Sequence, residues 1–421
     1  MVQAMDLRFL FLDLNSYFAS VEQQLKPDLR GEPLIVVPVL SDATSAIAAS
    51  YEAKAYGIKT GTNVGEAKRI CPGLKIVEAN HRHYVEYHHR IRAAMEECIP
   101  VTIVASIDEF GAELMKNERE PKRATEIAHA IKASIRRHVG SAITCSIGIA
   151  PNRYLAKVAA DMQKPDGLTV LEQRDIAQRL LELVPQDLPG IGPNMKRRLE
   201  AAGVTSMAQL LALAPKQMRA IWHSVAGEQM YYRLRGMDIP LPETTTSSVG
   251  HSHVLAPEYR PPARAQIVAM RLTLKAGSRL RRKQYMAGAF DLSVRLPSGL
   301  RVGYTASFSP ACDNHQFIHV LQAMWAQLMA EVNPQLIKKV SVTLHRLTPA
   351  ASVQPDLLAA IEAGNPQRAE RLAELSRAMD RVNEKYGKDT LVMGFTPSMS
   401  TQFSGTKIAF TRVPDVQEFH E

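Results

Sequence analysis

The chain has little of what would tie it to a membrane, a secretory route or a disulfide framework. No run approaches the ~18 consecutive apolar residues that a membrane helix needs. The N-terminus lacks a basic segment, and its apolar run at residues 9–12 is too short for the core of a signal peptide, so no export signal is expected. Four cysteines in 421 residues (Cys71, Cys98, Cys145, Cys312) lie far apart with no CxxC spacing. That argues against a zinc site or structural disulfides and for a reducing cytoplasm. No internal repeat is visible. Apolar residues at 46% and charged residues at 22% exclude disorder of the whole chain. At about 100–200 residues per domain, the length predicts two to four domains.

Acidic residues are the scarcer sign, 42 against 51 Lys and Arg, for a net charge of +9. The excess is concentrated: residues 241–350 hold 13 basic and 5 acidic side chains. Such asymmetry suits a polyanionic partner, because neutralising phosphates releases condensed counterions. A solubilising face accounts for the same charge equally well.

Hydrophobic patterning divides the chain. Residues 7–13 (LRFLFLD) read as a buried strand ending in a carboxylate, followed by a helix over 16–24 and a strand over 34–39. Residues 46–69 are expected to be mostly helical, broken by Gly57, Gly61 and Gly65, with a short strand at 75–78 and a helix over 82–98. Strands at 101–106 and 110–115 flank Ile107-Asp108-Glu109 as a hairpin, and a helix over 123–139 and a strand over 143–149 complete an α+β pattern. From 174 to 236 no strand signal occurs, which predicts a small helical unit; the polar run 242–248 predicts a linker. Beyond it the order is β (249–255), α (261–282), β (287–296), β (301–308), α (316–332), β (338–346), a βαββαβ unit. The tail from 348 is expected to be rich in helix to about residue 386.

Three acidic residues stand in unusual places: Asp13 closes an apolar strand, and Asp108 and Glu109 occupy a hairpin tip between apolar strands. Half-buried carboxylates are costly without a compensating cation. If they converge, ligands that are oxygen only favour Mg²⁺ or Mn²⁺ over zinc. Two such ions about 3.5–4 Å apart suit phosphoryl transfer. Asp13 as a helix cap and Asp108 as a turn residue explain the same spacing more simply. Tyr51 and Lys54 are three apart, on one helix face, and Lys164 is a second candidate for a phosphate contact.

In order, these segments resemble the Y-family (translesion) DNA polymerases. The similarity is carried by FLDLNSYFASVE (11–22), SYEAK (50–54) with YGIK (56–59), SIDE (106–109), SIGIAPN (146–152) with LAK (155–157), and DM (161–162) with KPDG (164–167). The resemblance implies an α+β multidomain fold: a palm with a mixed sheet (1–25 and 81–173), small fingers (26–80), an all-helical thumb with a helix-hairpin-helix (174–241), a linker (242–248), a βαββαβ little finger (249–347) and a C-terminal tail (348–421). It implies a low-fidelity DNA-templated DNA polymerase with a small, open active site and no stretch left for a proofreading exonuclease. Asp13, Asp108 and Glu109, with the Leu14 carbonyl, would hold two Mg²⁺ ions, with Mn²⁺ able to substitute. Phe18 falls at the steric-gate position, where core packing is the simpler role for an aromatic. Tyr51, Lys54 and Lys164 would contact the incoming dNTP.

For primer-template DNA, Gly190, Gly192 and Lys196 would serve the helix-hairpin-helix, and Arg279, Arg281, Arg282, Lys283 and Arg301 the little finger, although cations at a helix C-terminus are also favoured by its dipole. Gln354, Asp356, Leu357 and Leu358, in QPDLL, resemble a sliding-clamp peptide. Residues 378–383 and 386–390 most resemble the tail of the bacterial UmuC-like branch, the catalytic subunit of an SOS mutagenic polymerase, and that resemblance makes an accessory SOS subunit a further candidate partner. Three departures stand out: Lys54 where Arg is usual, Asn15 where Asp is frequent, and Phe110-Gly111-Ala112 where an aromatic-rich strand is usual. The rival reading is a non-catalytic DNA- and clamp-binding scaffold that keeps the fold.

Overall fold

The computed structural model describes residues 6–42, 44–240, 246–353, 366–387, 390, 391, 393 and 413. The chain forms two compact units, divided between residues 241 and 242. In the first, the order is β1 (Phe9–Leu14), α1 (Tyr17–Leu25), β2 (Leu34–Val37), β3 (Ala48–Ala49), α2 (Tyr51–Ala55), α3 (Val64–Ile70), β4 (Lys75–Glu78), α4 (His81–Glu96), β5 (Ile103–Val104) and β6 (Glu109–Glu113). Then come α5 (Pro121–His138), β7 (Cys145–Ala150), α6 (Arg153–Met162) and β8 (Leu168–Val170). Five short helices close the unit: α7 (Ile176–Leu180), α8 (Pro193–Ala201), α9 (Met207–Ala212), α10 (Pro215–Trp222) and α11 (Val225–Arg233).

A five-stranded sheet in the order β5-β6-β1-β7-β8 organises this unit. β1 is antiparallel to both neighbours and buried along its whole length, because both sheet faces are covered. Leu10, Leu12 and Leu14 join a core with residues of α1, α4 and α5; Phe9 and Phe11 point the other way, into a core with α6 and the helices after it. The period of two puts Asp13 on the Phe11 face. Gly148 of β7 lies on that face, and a Cβ there would come within 2.0 Å of the Ala156 carbonyl oxygen. Glycine therefore lets α6 lie directly against the sheet.

α6 was not expected as an element, although its start is legible: the Asn152 side chain accepts from the Leu155 amide ahead of an apolar stripe at 155, 156, 158 and 159. The 46–69 stretch holds less helix than its composition suggests. Ala48-Ala49 pairs with β2, and β2 and β4 run parallel beside it, forming a separate three-stranded sheet. Tertiary pairing overrides alanine's helix propensity here. The strand expected at 101–106 shrinks to β5.

The second unit contains β9 (Ser248–Val254), α12 (Pro262–Arg282), β10 (Tyr285–Arg295), β11 (Arg301–Ala311), α13 (Asn314–Glu331), β12 (Lys339–Pro349) and α14 (Pro366–Tyr386). The βαββαβ order holds, with an antiparallel sheet β11-β10-β12-β9. Phe290, Phe317, Met324 and Trp325 lie in its core with apolar residues of α12. α14 packs on α12 and α13. Among the described residues no helix is long and apolar enough to cross a membrane.

α14 corrects one expectation. Arg281 does not present its charge to solvent: its side chain is 5% exposed. Nε and Nη2 donate to the two Asp380 carboxylate oxygens (2.6 and 2.8 Å), and Nη1 donates to the Cys312 carbonyl and Asn314 Oδ1. A guanidinium spent on four acceptors inside the unit has no donor fork left for DNA. Arg282, Lys283 and Arg301 are exposed and Arg279 is half-buried; Arg301 Nε donates to Ser293 Oγ.

Candidate active site

Strand register brings Asp13 and Glu109 side by side at one end of the five-stranded sheet, with Asp108 in the turn just before β6. Asp13 faces Glu109 across β1–β6, and Ser146 across β1–β7. The Leu14 amide donates to the Asp108 carbonyl (2.9 Å), which ties the hairpin tip to the end of β1. Asp13 does not cap α1: the residue before that helix is Ser16, in the left-handed region and without a side-chain cap. Its carboxylate turns to lysines instead. Lys164 Nζ lies 2.7 Å from Asp13 Oδ1 and 2.8 Å from Asp161 Oδ1, and Lys157 Nζ pairs with Glu109 and stands 3.9 Å from Asp13 Oδ2. Asp108 does support its turn, accepting from Ser106 Oγ at 2.6 Å.

Burial sets the electrostatics. Asp13, 8% exposed, is pushed up to about 6 by desolvation, against the pull of Lys164 and Lys157. Desolvation likewise raises Asp108, opposed by the Ser106 hydroxyl and aided by Glu109. Desolvation pulls Lys164 down, but Asp13 and Asp161 outweigh it and hold it above the usual lysine range. Lys54 is lowered by desolvation and by the Lys164 charge. Burial therefore works against the charge of both carboxylates, and at Asp13 the Lys164 and Lys157 cations offset part of that cost.

The remaining nucleotide-binding candidates surround the same end of the sheet. Lys54 Nζ donates to Ser16 Oγ (2.7 Å) and lies 4.3 Å from the Tyr51 ring centroid, so α2 delivers both side chains beside the start of α1. Burial raises the Tyr51 phenol, with Lys164 and Asp13 among the charges acting on it. Phe18 is 6% exposed and stacks on Tyr84, ring centroids 4.3 Å apart. Gly190 (φ +92°) and Gly192 precede α8, whose Lys196 is exposed and 3.7 Å from Glu200. Gln354, Asp356, Leu357 and Leu358 lie outside the described residues.

Two further residues carry the site. Lys157, in the LAK segment, is the ion-pair partner of Glu109; it lies opposite the apolar stripe of α6, in line with Arg153 and Asp161, where a lysine carries no distinguishing local signal. His88, 2% exposed, stacks on Phe110 (4.7 Å) and donates from Nδ1 to the Ile107 carbonyl (2.7 Å), holding the hairpin from behind. Burial lowers its pKa to about 4, so the ring is neutral. Nothing in the sequence marks this histidine among its neighbours on α4.

A divalent ion suits this pocket by donor chemistry, since the ligands on offer from Asp13, Asp108, Glu109 and the Leu14 carbonyl are all hard oxygens. Among the described residues, however, no three His, Cys, Asp or Glu side chains already stand grouped as a metal-binding set. Lysines hold Asp13 and Glu109 in the arrangement seen.

Comparison with known proteins agrees with this architecture. Residues 12–161 match the impB/mucB/samB family, 246–357 that family's C-terminal domain, and 186–238 the thumb domain of DNA polymerase iota. The chain is 34% identical over 396 residues to DNA polymerase IV of Moorella thermoacetica, covering 91% of this chain and 94% of the relative. It is 29% identical to DNA polymerase IV of Pelotomaculum thermopropionicum, covering 92% and 96%. Among solved structures, a Y-family DNA polymerase chimera of Dbh and Dpo4 superposes with a TM-score of 0.70 at 23% identity, over 81% of this chain and 99% of that one. With three family segments in order and a relative matched almost end to end, the chain belongs to the impB/mucB/samB family, the Y-family DNA polymerases.

Proposed function

We propose that this chain is a low-fidelity DNA-directed DNA polymerase acting in translesion synthesis, with its reaction centre at the end of β1. The primer 3′-hydroxyl oxygen forms a bond to the α-phosphorus of a dNTP as it loses its proton. The bond to the bridging oxygen breaks, and pyrophosphate leaves. The observation that carries this reading is the register pairing of Asp13 with Glu109, Asp108 tied to Leu14, and three lysines directed at the same end of the sheet from separate elements.

Asp13, Asp108 and Glu109, with the Leu14 carbonyl, would hold the two Mg²⁺ ions, or Mn²⁺. When bound, such ions neutralise phosphate charge and favour the attacking alkoxide. The chain's own groups do the rest. Lys164 and Lys54 contact the triphosphate as point charges and Tyr51 flanks it. Phe18 bars a ribose 2′-hydroxyl. His88 keeps the hairpin from tilting. Residues 1–25 and 81–173 act as palm, 26–80 as fingers, 174–241 as thumb, 242–248 as linker and 249–347 as little finger. Gly190, Gly192 and Lys196 contact the DNA backbone in the thumb, with Arg279, Arg282, Lys283 and Arg301 in the little finger; such contacts position DNA without reading sequence. In the tail, 348–421, the 354–358 peptide docks on the sliding clamp. The 378–390 residues favour the UmuC-like branch and an accessory SOS subunit; the curated relatives above carry the name DNA polymerase IV. A cytoplasmic location accords with the unpaired cysteines.

Primer extension with Mg²⁺ and dNTPs tests the reading. Asp108→Ala is expected to lower incorporation by roughly 10³-fold or more while primer-template affinity stays within about twofold. Equal rates in the two proteins would reject the assignment. DNA binding without extension by the wild type would favour the scaffold reading.

A further inference from the structure

Asn15 follows the pocket's first carboxylate by two residues, yet its side chain turns away from solvent: it is 1% exposed. It joins three segments far apart in sequence. Oδ1 accepts from the Asp166 amide (2.8 Å) and from Thr144 Oγ1 (3.1 Å), while Nδ2 donates to Ser146 Oγ (3.1 Å). Ser146 extends the reach, donating to the Gln163 carbonyl (2.9 Å) and accepting from the Gly167 amide (3.2 Å). From the outer side Lys132 Nζ stands 3.0 Å from Asp166 Oδ1. The loop 163–167 is thus pinned at residues 163, 166 and 167, and the one side chain it sends to the pocket is Lys164.

We propose that Asn15 is a positioning residue: its amide fixes the 163–167 loop and so sets Lys164 for the triphosphate of the incoming nucleotide. This rests on the polymerase reading given above. The amide's two ends are both needed. The Ser146 hydroxyl has one proton, and it is given to Gln163, so Ser146 can only accept from residue 15. A carboxylate there would set two acceptors face to face, or turn the Ser146 proton away and leave the Gln163 carbonyl without its donor. Near-isosteric Asn15→Asp therefore separates the amide's donor from its acceptor.

The test compares wild type, Asn15→Ala, Asn15→Asp and Thr144→Val in the full chain. Two measurements are made: single-nucleotide incorporation, and hydrogen–deuterium exchange of the peptide spanning 163–167. Asn15→Ala is expected to raise the KM for dNTP about tenfold, in line with the loss of a buried hydrogen-bond anchor, with kcat changed less than about threefold. Exchange at 163–167 should quicken, while the peptide over 188–199 stays as in wild type. Asn15→Asp should show the same pattern, smaller, and Thr144→Val the smallest change. Unchanged KM with a lowered kcat overturns the proposal. So does unchanged exchange at 163–167, or faster exchange spread evenly over the first unit, which marks plain destabilisation. If the wild type extends no primer, the polymerase reading fails, while the exchange measurement still decides whether Asn15 sets the loop.

Discussion

Two groups of cations show how differently the same charge can be used. At the end of β1, Lys157 and Lys164 meet Asp13, Glu109 and Asp161 with about a quarter of each lysine side chain still exposed. At the end of α12, Arg281 is sealed in, its fork matched to both Asp380 oxygens. An ammonium is a point charge that can exchange one partner for another; a buried bidentate guanidinium cannot do so cheaply. The first arrangement suits a pocket that must release its carboxylates to something else. The second is a fastener.

The widest separation between the two is expected in stability. Asp380→Ala leaves Arg281 buried without its counter-charge and should cost the second unit about 3 kcal/mol, seen as a lower melting transition, with KM for dNTP unchanged. A neutral result would mean that Arg281 finds water or DNA, and the contrast would dissolve. Acid titration is next. His253, lowered to about 4 by burial and by Arg271, binds its proton more readily unfolded, so the second unit should lose about 2 kcal/mol as pH falls from 6.5 toward 4. In the first unit His88 acts in the same direction, but Asp13, raised to about 6, acts against it: below pH 6 the folded state takes the proton first. That unit should respond less, and His88→Gln should make its stability rise on acidification; exchange measured by unit at several pH values checks both. The smallest effect belongs to Lys164→Gln. It should raise the KM for dNTP about tenfold and shift the melting temperature by no more than about 2 °C. A large loss of stability would show that Lys164 is a fastener too.

Much of this was legible beforehand, and for physical reasons. β1, the βαββαβ order and the helical stretch before it are written in hydrophobic period and punctuation. Asp13 announced itself as a charge closing an apolar strand. Arg281 was not legible as an internal residue, because a run of cations at a helix C-terminus looks the same whether it faces phosphate or an aspartate 99 positions away. In the sequence Asn15 stands out only as a departure from an Asp that is frequent in the family. Its value lies in hydrogen bonds to residues 129 to 151 positions on, which no local pattern contains. Ala48-Ala49 misled because alanine reads as helix until a neighbouring strand claims it.

The match to the family's C-terminal domain stops at residue 357, but α14, which begins at Pro366, supplies Asp380 to Arg281 and the Ser376 hydroxyl to the Asn314 amide. A fragment trimmed where the sheet ends would discard both. Whoever shortens this chain for expression or crystallisation should place the cut beyond residue 386, so that α14 keeps its contacts with α12 and α13.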